Sequence, residues 1–410
     1  MNRTAILMLL ASLVLTPLRA GPVTLEAVGR LPEAERQEWR DYIARSATRA
    51  LADQTALKAE LVANDMTAAL KAPSGGDFKL SHETGDAWYS GGEAAALAAT
   101  VLSYQTVSGG WSKHTGYSRG PRLPGMQWSS QSEPGEAPHY LATFDNRSTT
   151  EQLEFLGNLW LATRRGDCEA GFIKGLDFIF DAQFPNGGWP QVYPLEGGYH
   201  DGITFNDDAM KHILELLKSV AGNDLRFTFL DEARRLKAAE ALGKGIRCVV
   251  RTQVVQDGRK TAWCAQHDPL TLAPDQARKM EPVALSGLES ANLLAFLMTI
   301  ANPSPEVAAS IESGLAWLDR VKVTGMTRTS REGKTTYEPD PQSSEIYWAR
   351  FYSLTDSKPV FPGRDGVLYP TFWEMAAKNK LGYDFYTTRP GSVVNNGRKK
   401  WRKMLSGSKP

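Results

Sequence analysis

Two short acidic segments of this sequence have the residue types and placement to do chemistry together. Phe144-Asp145-Asn146 precedes the apolar run Leu153, Phe155, Leu156, Leu159, and Phe205-Asn206-Asp207-Asp208 precedes Ile213, Leu214, Leu216, Leu217. A single Asp just ahead of an apolar helix ordinarily serves as its N-cap. A cap needs one oxygen, whereas Asp paired with Asn in matching places supplies several acceptors to one rim. Hard oxygen ligands converging on a cleft suit calcium or another hard divalent ion. The sequence has no EF-hand loop, so such a site must be assembled from distant segments.

Basic and aromatic residues form the complementary set. Trp263-Cys264-Ala265-Gln266-His267-Asp268-Pro269 leads on to Ala277-Arg278-Lys279-Met280-Glu281-Pro282. Further on, Tyr347-Trp348-Ala349-Arg350-Phe351-Tyr352 and Phe361-Pro362-Gly363-Arg364-Asp365-Gly366 place two more arginines among aromatics. A basic cluster in a loop is ordinarily just solvated. Here it is set against acidic segments, and arginine forks bind carboxylates bidentately while aromatic faces stack on sugar rings. Acid groups for a cation and arginines for carboxylates together describe a polyuronate site.

The elements that must position these residues are repeated. Gln105 to Trp111 reads Gln-Thr-Val-Ser-Gly-Gly-Trp, and Gln183 to Trp189 reads Gln-Phe-Pro-Asn-Gly-Gly-Trp; a degraded copy runs from Gln253 to Trp263. Glycine can end a helix in the left-handed region, and tryptophan packs broadly on the next helix pair, so the element is architectural. Its resemblance to the glutamine-tryptophan repeats of α/α toroids points the same way. Apolar residues recur at helical spacing from Trp88 onward, as in Leu176, Ile179, Phe180 and Leu242, Ile246, Val249. The expected fold is all-α, an array of stacked helical units whose long loops, Ser112 to Thr143 and Thr252 to Pro282, form the cleft.

Composition bounds the rest. A net charge of +1 gives no whole-molecule attraction to nucleic acid or an anionic surface. Residues 1–20 read as a secretory signal, with Arg3 near the start, an apolar stretch and Leu18-Arg19-Ala20 before Gly21. Residues 21–85 read as an N-terminal helical extension broken at Pro73-Ser74-Gly75-Gly76, and residues 86–400 as the catalytic domain. No later run is apolar enough to span a membrane, so a secreted or periplasmic monomer is expected. Cys168, Cys248 and Cys264 allow one bridge at most, and no two sit at a chelating spacing.

From about Trp88 to Tyr386 the sequence resembles the family 10 polysaccharide lyases, pectate lyases built on an incomplete α/α toroid. The resemblance is carried by Gly-Gly-Trp-Ser-Lys-His from Gly109, Phe-Asp-Asn-Arg-Ser-Thr-Thr from Phe144, Thr-Phe-Asn-Asp-Asp-Ala-Met from Thr204, Trp-Cys-Ala-Gln-His-Asp-Pro from Trp263 and Ala-Arg-Lys-Met-Glu-Pro from Ala277. It implies Arg278 as the base and Asp145, Asn146 and Asp207 as a calcium centre. Asn206, His267, Arg350 and Arg364 would then contact the substrate, polygalacturonate. Two positions depart from the pattern: His114 stands where Asn is more usual, and Met280 where an aromatic is common. An arginine base with an ordinary pKa above about 12 requires a strong downward shift from nearby cations and implies an alkaline optimum.

Two rival functions fit parts of the same pattern. A glycoside hydrolase would use Asp145 and Asp207 as its carboxylate pair without calcium. A noncatalytic uronate-binding protein would keep the arginines and aromatics but need no base.

Overall fold

Each glutamine-tryptophan segment ends one helix and leads to the next, and the polar side chains of the segment lock that geometry. The computed structural model describes residues 23–79, 85–133, 139–331, 334–381 and 384–407; the expected signal segment lies outside them. The principal helices are α1 (Glu33–Ala63), α2 (Gly92–Ser103), α3 (Thr150–Thr163), α4 (Gly166–Ala182), α5 (Ala209–Ala221), α6 (Glu232–Thr252), α7 (Gly287–Leu297), α8 (Pro305–Arg320) and α9 (Arg398–Leu405).

The repeat is visible in its hydrogen bonds. Gln105 Nε2 donates to Gly109 O at 2.7 Å and to Gly171 O on α4 at 2.9 Å. Gln183 Nε2 bridges in the same way to Gly187 O at 3.0 Å and Ala241 O on α6 at 2.9 Å. Gln253 Nε2 reaches Thr261 O at 3.1 Å and Ser310 O on α8 at 3.0 Å, so the degraded third copy keeps the bolt. The indole N–H groups of Trp111, Trp189 and Trp263 donate to Val101, Ile179 and Val249 at 2.8, 2.9 and 2.7 Å. Each thereby bonds a carbonyl in the last turn of a preceding helix, where intrahelical partners run out. Trp348 does the same to Leu318 O of α8 at 2.8 Å, which reveals a fourth, reduced copy that the sequence reading did not anticipate.

The helices form two nested layers. α3, α5 and α7 are inner helices, α5 contacting both of the others, and α4, α6 and α8 pack outside them as the second arm of each hairpin, with α2 contacting α3 and α4. This is the incomplete α/α toroid. The hairpin arms approach closely at one glycine in each outer helix. A Cβ added to Gly175, Gly245 or Gly314 would lie 2.6, 2.5 or 2.8 Å from Leu153, Leu214 or Leu294 of the paired inner helix. Such overpacking costs about 1–3 kcal/mol.

The N-terminal extension is docked on the toroid. Trp39 and Tyr42 of α1 are buried against Phe184, with ring centroids 5.3 and 5.0 Å away, and Asp53 Oδ1 accepts from Ser108 N at 2.8 Å. At the other end, a four-stranded antiparallel sheet joins Leu285–Ser286, Phe351–Tyr352, Pro359–Pro362 and Leu368–Tyr369, with Arg364 on the loop between the last two strands. All three cysteines are buried and free.

Candidate active site

The repeats clamp the acidic segments by one recurring pair of backbone bonds. Thr143 N, Thr204 N and Ser286 N donate to the carbonyls of Trp111, Trp189 and Trp263 at 2.9, 3.3 and 2.7 Å. The following residues Phe144, Phe205 and Gly287 donate to Gln191, Ala265 and Arg350 of the next copy at 3.0, 2.9 and 3.1 Å. This register equates Asp145 with Asn206, and Asn146 with Asp207 and Glu289. Asn146 and Asp207 both have left-handed backbones, with φ of 51° and 50°, a conformation that Asn and Asp tolerate better than other side chains. The two turns pack against each other. They line a cavity of about 240 Å³ together with Lys113, Tyr140, Gln191, Tyr199, Arg278 and Glu281.

Charge is managed differently in each copy. Asp145 is buried; its Oδ2 accepts from Lys113 Nζ at 2.6 Å, while Oδ1 is buried with no hydrogen-bond partner. Asp207 opens to the cleft but is sunk deep within it. Desolvation by the surrounding protein, then the charges of Asp145 and Glu289, push its pKa up to about 6. Its Oδ2 accepts from Asn206 Nδ2 at 2.8 Å, which aims the carboxamide along the carboxylate. In the third copy Glu289 is buried, bonded to Ser286 and faced by Arg350 Nη2 at 3.7 Å. Asp208 has a structural task, accepting both bonds from Asn292 Nδ2 of α7 at 3.0 and 2.8 Å.

The structure thus gathers Asp145, Asn146, Asn206, Asp207 and Arg278 in one cleft and brings the Arg350 charge to bear on Asp207. Arg364 lies outside this group. Its side chain is exposed and its Nε donates to Lys380 O at 3.3 Å, on a loop whose Gly366 faces the Lys279 side chain. His267 requires a correction. It is buried behind the cleft, its Nε2 accepts from Cys264 N at 3.2 Å and its Nδ1 bonds Leu272 O at 3.0 Å, so neither ring nitrogen is offered to a ligand. Burial lowers its pKa to about 4, and the neutral ring pins the loop of the third copy.

Arg278 also departs from expectation. Rather than sitting among cations that depress its pKa, it donates from Nε to buried Glu281 Oε2 at 2.9 Å, and that ion pair raises its pKa above the usual value. Tyr140, Gln191, Tyr199, Glu281 and Glu289 were given no role by the sequence reading, and that of Lys113 was left open. One signal was present: Lys113, Gln191, Ala265 and Arg350 all stand two places beyond the tryptophan of their copy. Extending the repeat by that step pairs Lys113 with Arg350, the first beside its own copy's Asp145 and the second beside Glu289 of the preceding copy.

A helical toroid whose open face carries an acidic centre between arginines defines the class of polysaccharide lyases. Residues 105–394 match the family model for pectic acid lyase, and the chain belongs to that family. Among solved structures it is similar to a point variant of the family 10 polysaccharide lyase from Cellvibrio cellulosa in complex with trigalacturonic acid. The two are 31% identical over 75% of this chain and 92% of the other, with a TM-score of 0.66. It is also similar to the family 10 lyase from Cellvibrio cellulosa itself, at 29% identity over 79% of this chain and 98% of that one, with a TM-score of 0.65. No match is found among curated proteins.

Proposed function

We propose that this chain is a secreted, calcium-assisted pectate lyase that cleaves polygalacturonate by β-elimination and leaves a 4,5-unsaturated galacturonide. The observation that carries the reading is the pair of apposed turns: a buried Asp145 oxygen without a partner faces the same cavity as an Asp207 carboxylate whose ionisation is already disfavoured. A hard dication relieves both, and Asp145, Asn146 and Asp207 are the residues that would hold it. The trigalacturonic acid bound by the Cellvibrio enzyme supports a galacturonate substrate.

The proton to be removed lies on C5, beside a carboxylate whose negative charge opposes carbanion formation. Calcium, when bound, offsets that charge and so acidifies C5. Arg278, once deprotonated, takes the C5 proton; the C–H electron pair forms the C4–C5 double bond, and the C4–O bond breaks with the leaving oxygen protonated from solvent. In the ligand-free chain Glu281 holds Arg278 protonated, so productive binding must separate that pair. A cation held by Asp145, Asn146 and Asp207 would share the cavity with Arg278, and its positive charge would oppose the rise in pKa that Glu281 imposes. Arg350 stands by Glu289 and Asp207, where its fork can exchange a protein carboxylate for a substrate one. Residues 86–400 form the catalytic unit, acting as a monomer outside the cytoplasm; no helix among the described residues is long and apolar enough to cross a membrane.

The test is incubation with polygalacturonate at alkaline pH, with calcium or with excess chelator, following ultraviolet absorbance of the unsaturated product. Calcium-dependent product that falls sharply on highly methyl-esterified pectin is expected. Undiminished activity in chelator contradicts the metal assignment, and reducing ends without unsaturation point to hydrolysis.

A further inference from the structure

Behind the cleft, three side chains form a cluster that the proposed elimination does not use. His139 Nδ1 and His200 Nδ1 lie 2.9 and 3.2 Å from the same oxygen, Glu196 Oε1. One ligand atom from each residue falls within 4.8 Å of the others. Glu196 Oε1 is buried, and both ring nitrogens converge on it. Two of the remaining ligand atoms are committed elsewhere. Glu196 Oε2 accepts from Tyr140 N at 2.9 Å, and His200 Nε2 bonds Tyr140 OH at 3.0 Å. The backbone of His139 is fixed by Ser132 Oγ, which accepts from His139 N at 2.9 Å and donates to its carbonyl at 3.0 Å.

We propose that His139, Glu196 and His200 form a second metal site, selective for a transition dication such as Zn²⁺ and distinct from the hard-oxygen centre at Asp145 and Asp207. Two imidazole nitrogens and one carboxylate oxygen are a ligand set that zinc favours, with water completing four-coordination, and one that calcium does not. A histidine ligand usually has its other ring nitrogen engaged, which fixes tautomer and orientation, and Tyr140 OH fills that role for His200. The ion would staple the end of the long first loop to the segment carrying Glu196 and His200. Tyr140 joins this staple to the cleft: its ring lies 3.6 Å from Lys113 Nζ, the partner of Asp145, and its hydroxyl is 3.2 Å from that of Tyr199. The site acts as a structural clip for the Lys113–Asp145 face and stands independently of the lyase reading.

The test titrates the chelator-stripped mature protein with Co²⁺ and Zn²⁺ in the presence of millimolar calcium. It follows heat and the visible absorption of cobalt, with circular dichroism confirming the fold of each variant. One equivalent should bind with the intense spectrum of a tetrahedral site. His139→Ala and the milder His139→Gln, which alter a half-exposed side chain, should each weaken binding by more than about a hundredfold. Asp207→Asn should leave cobalt binding unchanged. The proposal is overturned by an absence of binding, by a weak octahedral spectrum, by affinity that survives both His139 variants, or by loss of binding in Asp207→Asn.

Discussion

The first two acidic turns have one backbone and opposite electrostatics. Both open from a threonine clamped to the preceding tryptophan, both turn through a left-handed residue, and both precede an inner helix. Yet the first places its carboxylate at the position where the second has Asn206, and spends one oxygen on Lys113. The second places its carboxylate one residue later, with no cation in direct contact by any described hydrogen bond or ion pair, and its pKa rises to about 6. The exchange of Asp and Asn between copies sets the two charges diagonally, with a carboxamide beside each. One turn is therefore neutralised within the chain, and the other keeps its charge for a ligand.

The largest effect should come from removing the residue that both turns serve. Arg278→Ala and Arg278→Lys should each lower kcat by at least about a thousandfold, roughly 4 kcal/mol of transition-state stabilisation, with substrate binding largely kept. Lysine carries charge without the planar fork and should not rescue. Retention of a tenth of wild-type turnover would move the base elsewhere, and with His267 buried it would fall to another titratable group lining the cleft, such as His114 or Lys113.

Asp207→Asn sharpens the comparison because it should cut activity on the order of a hundredfold while stabilising the metal-free chain. The folded pKa of about 6 lies above the ordinary 3.8, so the native state favours the protonated form. That contribution is fully present below pH 3.8 and is lost as pH rises through about 6. In chelator at about pH 8 the variant should melt above wild type, and the gap should close in acid. Calcium should raise the wild-type melting temperature and leave the variant little changed. Equal melting curves in chelator at both pH values would dissolve the distinction between the turns.

Lys113→Met reverses the experiment on the first turn. Lys113 and Asp145 have only 13% and 7% of their side chains exposed, so the variant strands a buried carboxylate. Unfolding in chelator should show a loss of about 3 kcal/mol, typical of a broken buried pair. Calcium should restore part of it. A loss indifferent to calcium would mean that Asp145 does not face the metal.

The helical toroid was legible because its period is written in residues that do mechanical work: the Gln bolts and the Trp indoles that follow a Gly-Gly pair. The acidic turns were legible for the same reason, as they recur. His267 was misread because a histidine within a polar, aromatic motif looks identical whether it faces a ligand or two backbone groups, and only the fold of the third loop decides. The fourth copy escaped because Trp348 retains the indole bond to Leu318 without a Gly-Gly pair before it. Glu281 and Glu289 escaped because each acts by pairing with an arginine chosen in three dimensions, at Arg278 and Arg350.

The smallest effect separates the two arginines assigned to the substrate. Arg350 is largely buried beside Glu289, and its charge reaches Asp207, so Arg350→Ala removes a fork and strands a buried glutamate. Arg364 is exposed, bonded only weakly to Lys380 O, and stands on a solvent-screened loop. A contact made there is worth little more than a surface ion pair, about 1 kcal/mol or less. Arg364→Ala should therefore raise KM by no more than about fivefold at unchanged kcat, and added salt should shrink even that difference. Arg350→Ala should raise KM further and lower kcat as well. If Arg364→Ala instead proves as damaging as Arg350→Ala, the loop around Gly366 must fold inward on substrate binding and carry Arg364 to a desolvated carboxylate. The two arginines would then be equivalent in the complex, however unequal they are in the free chain.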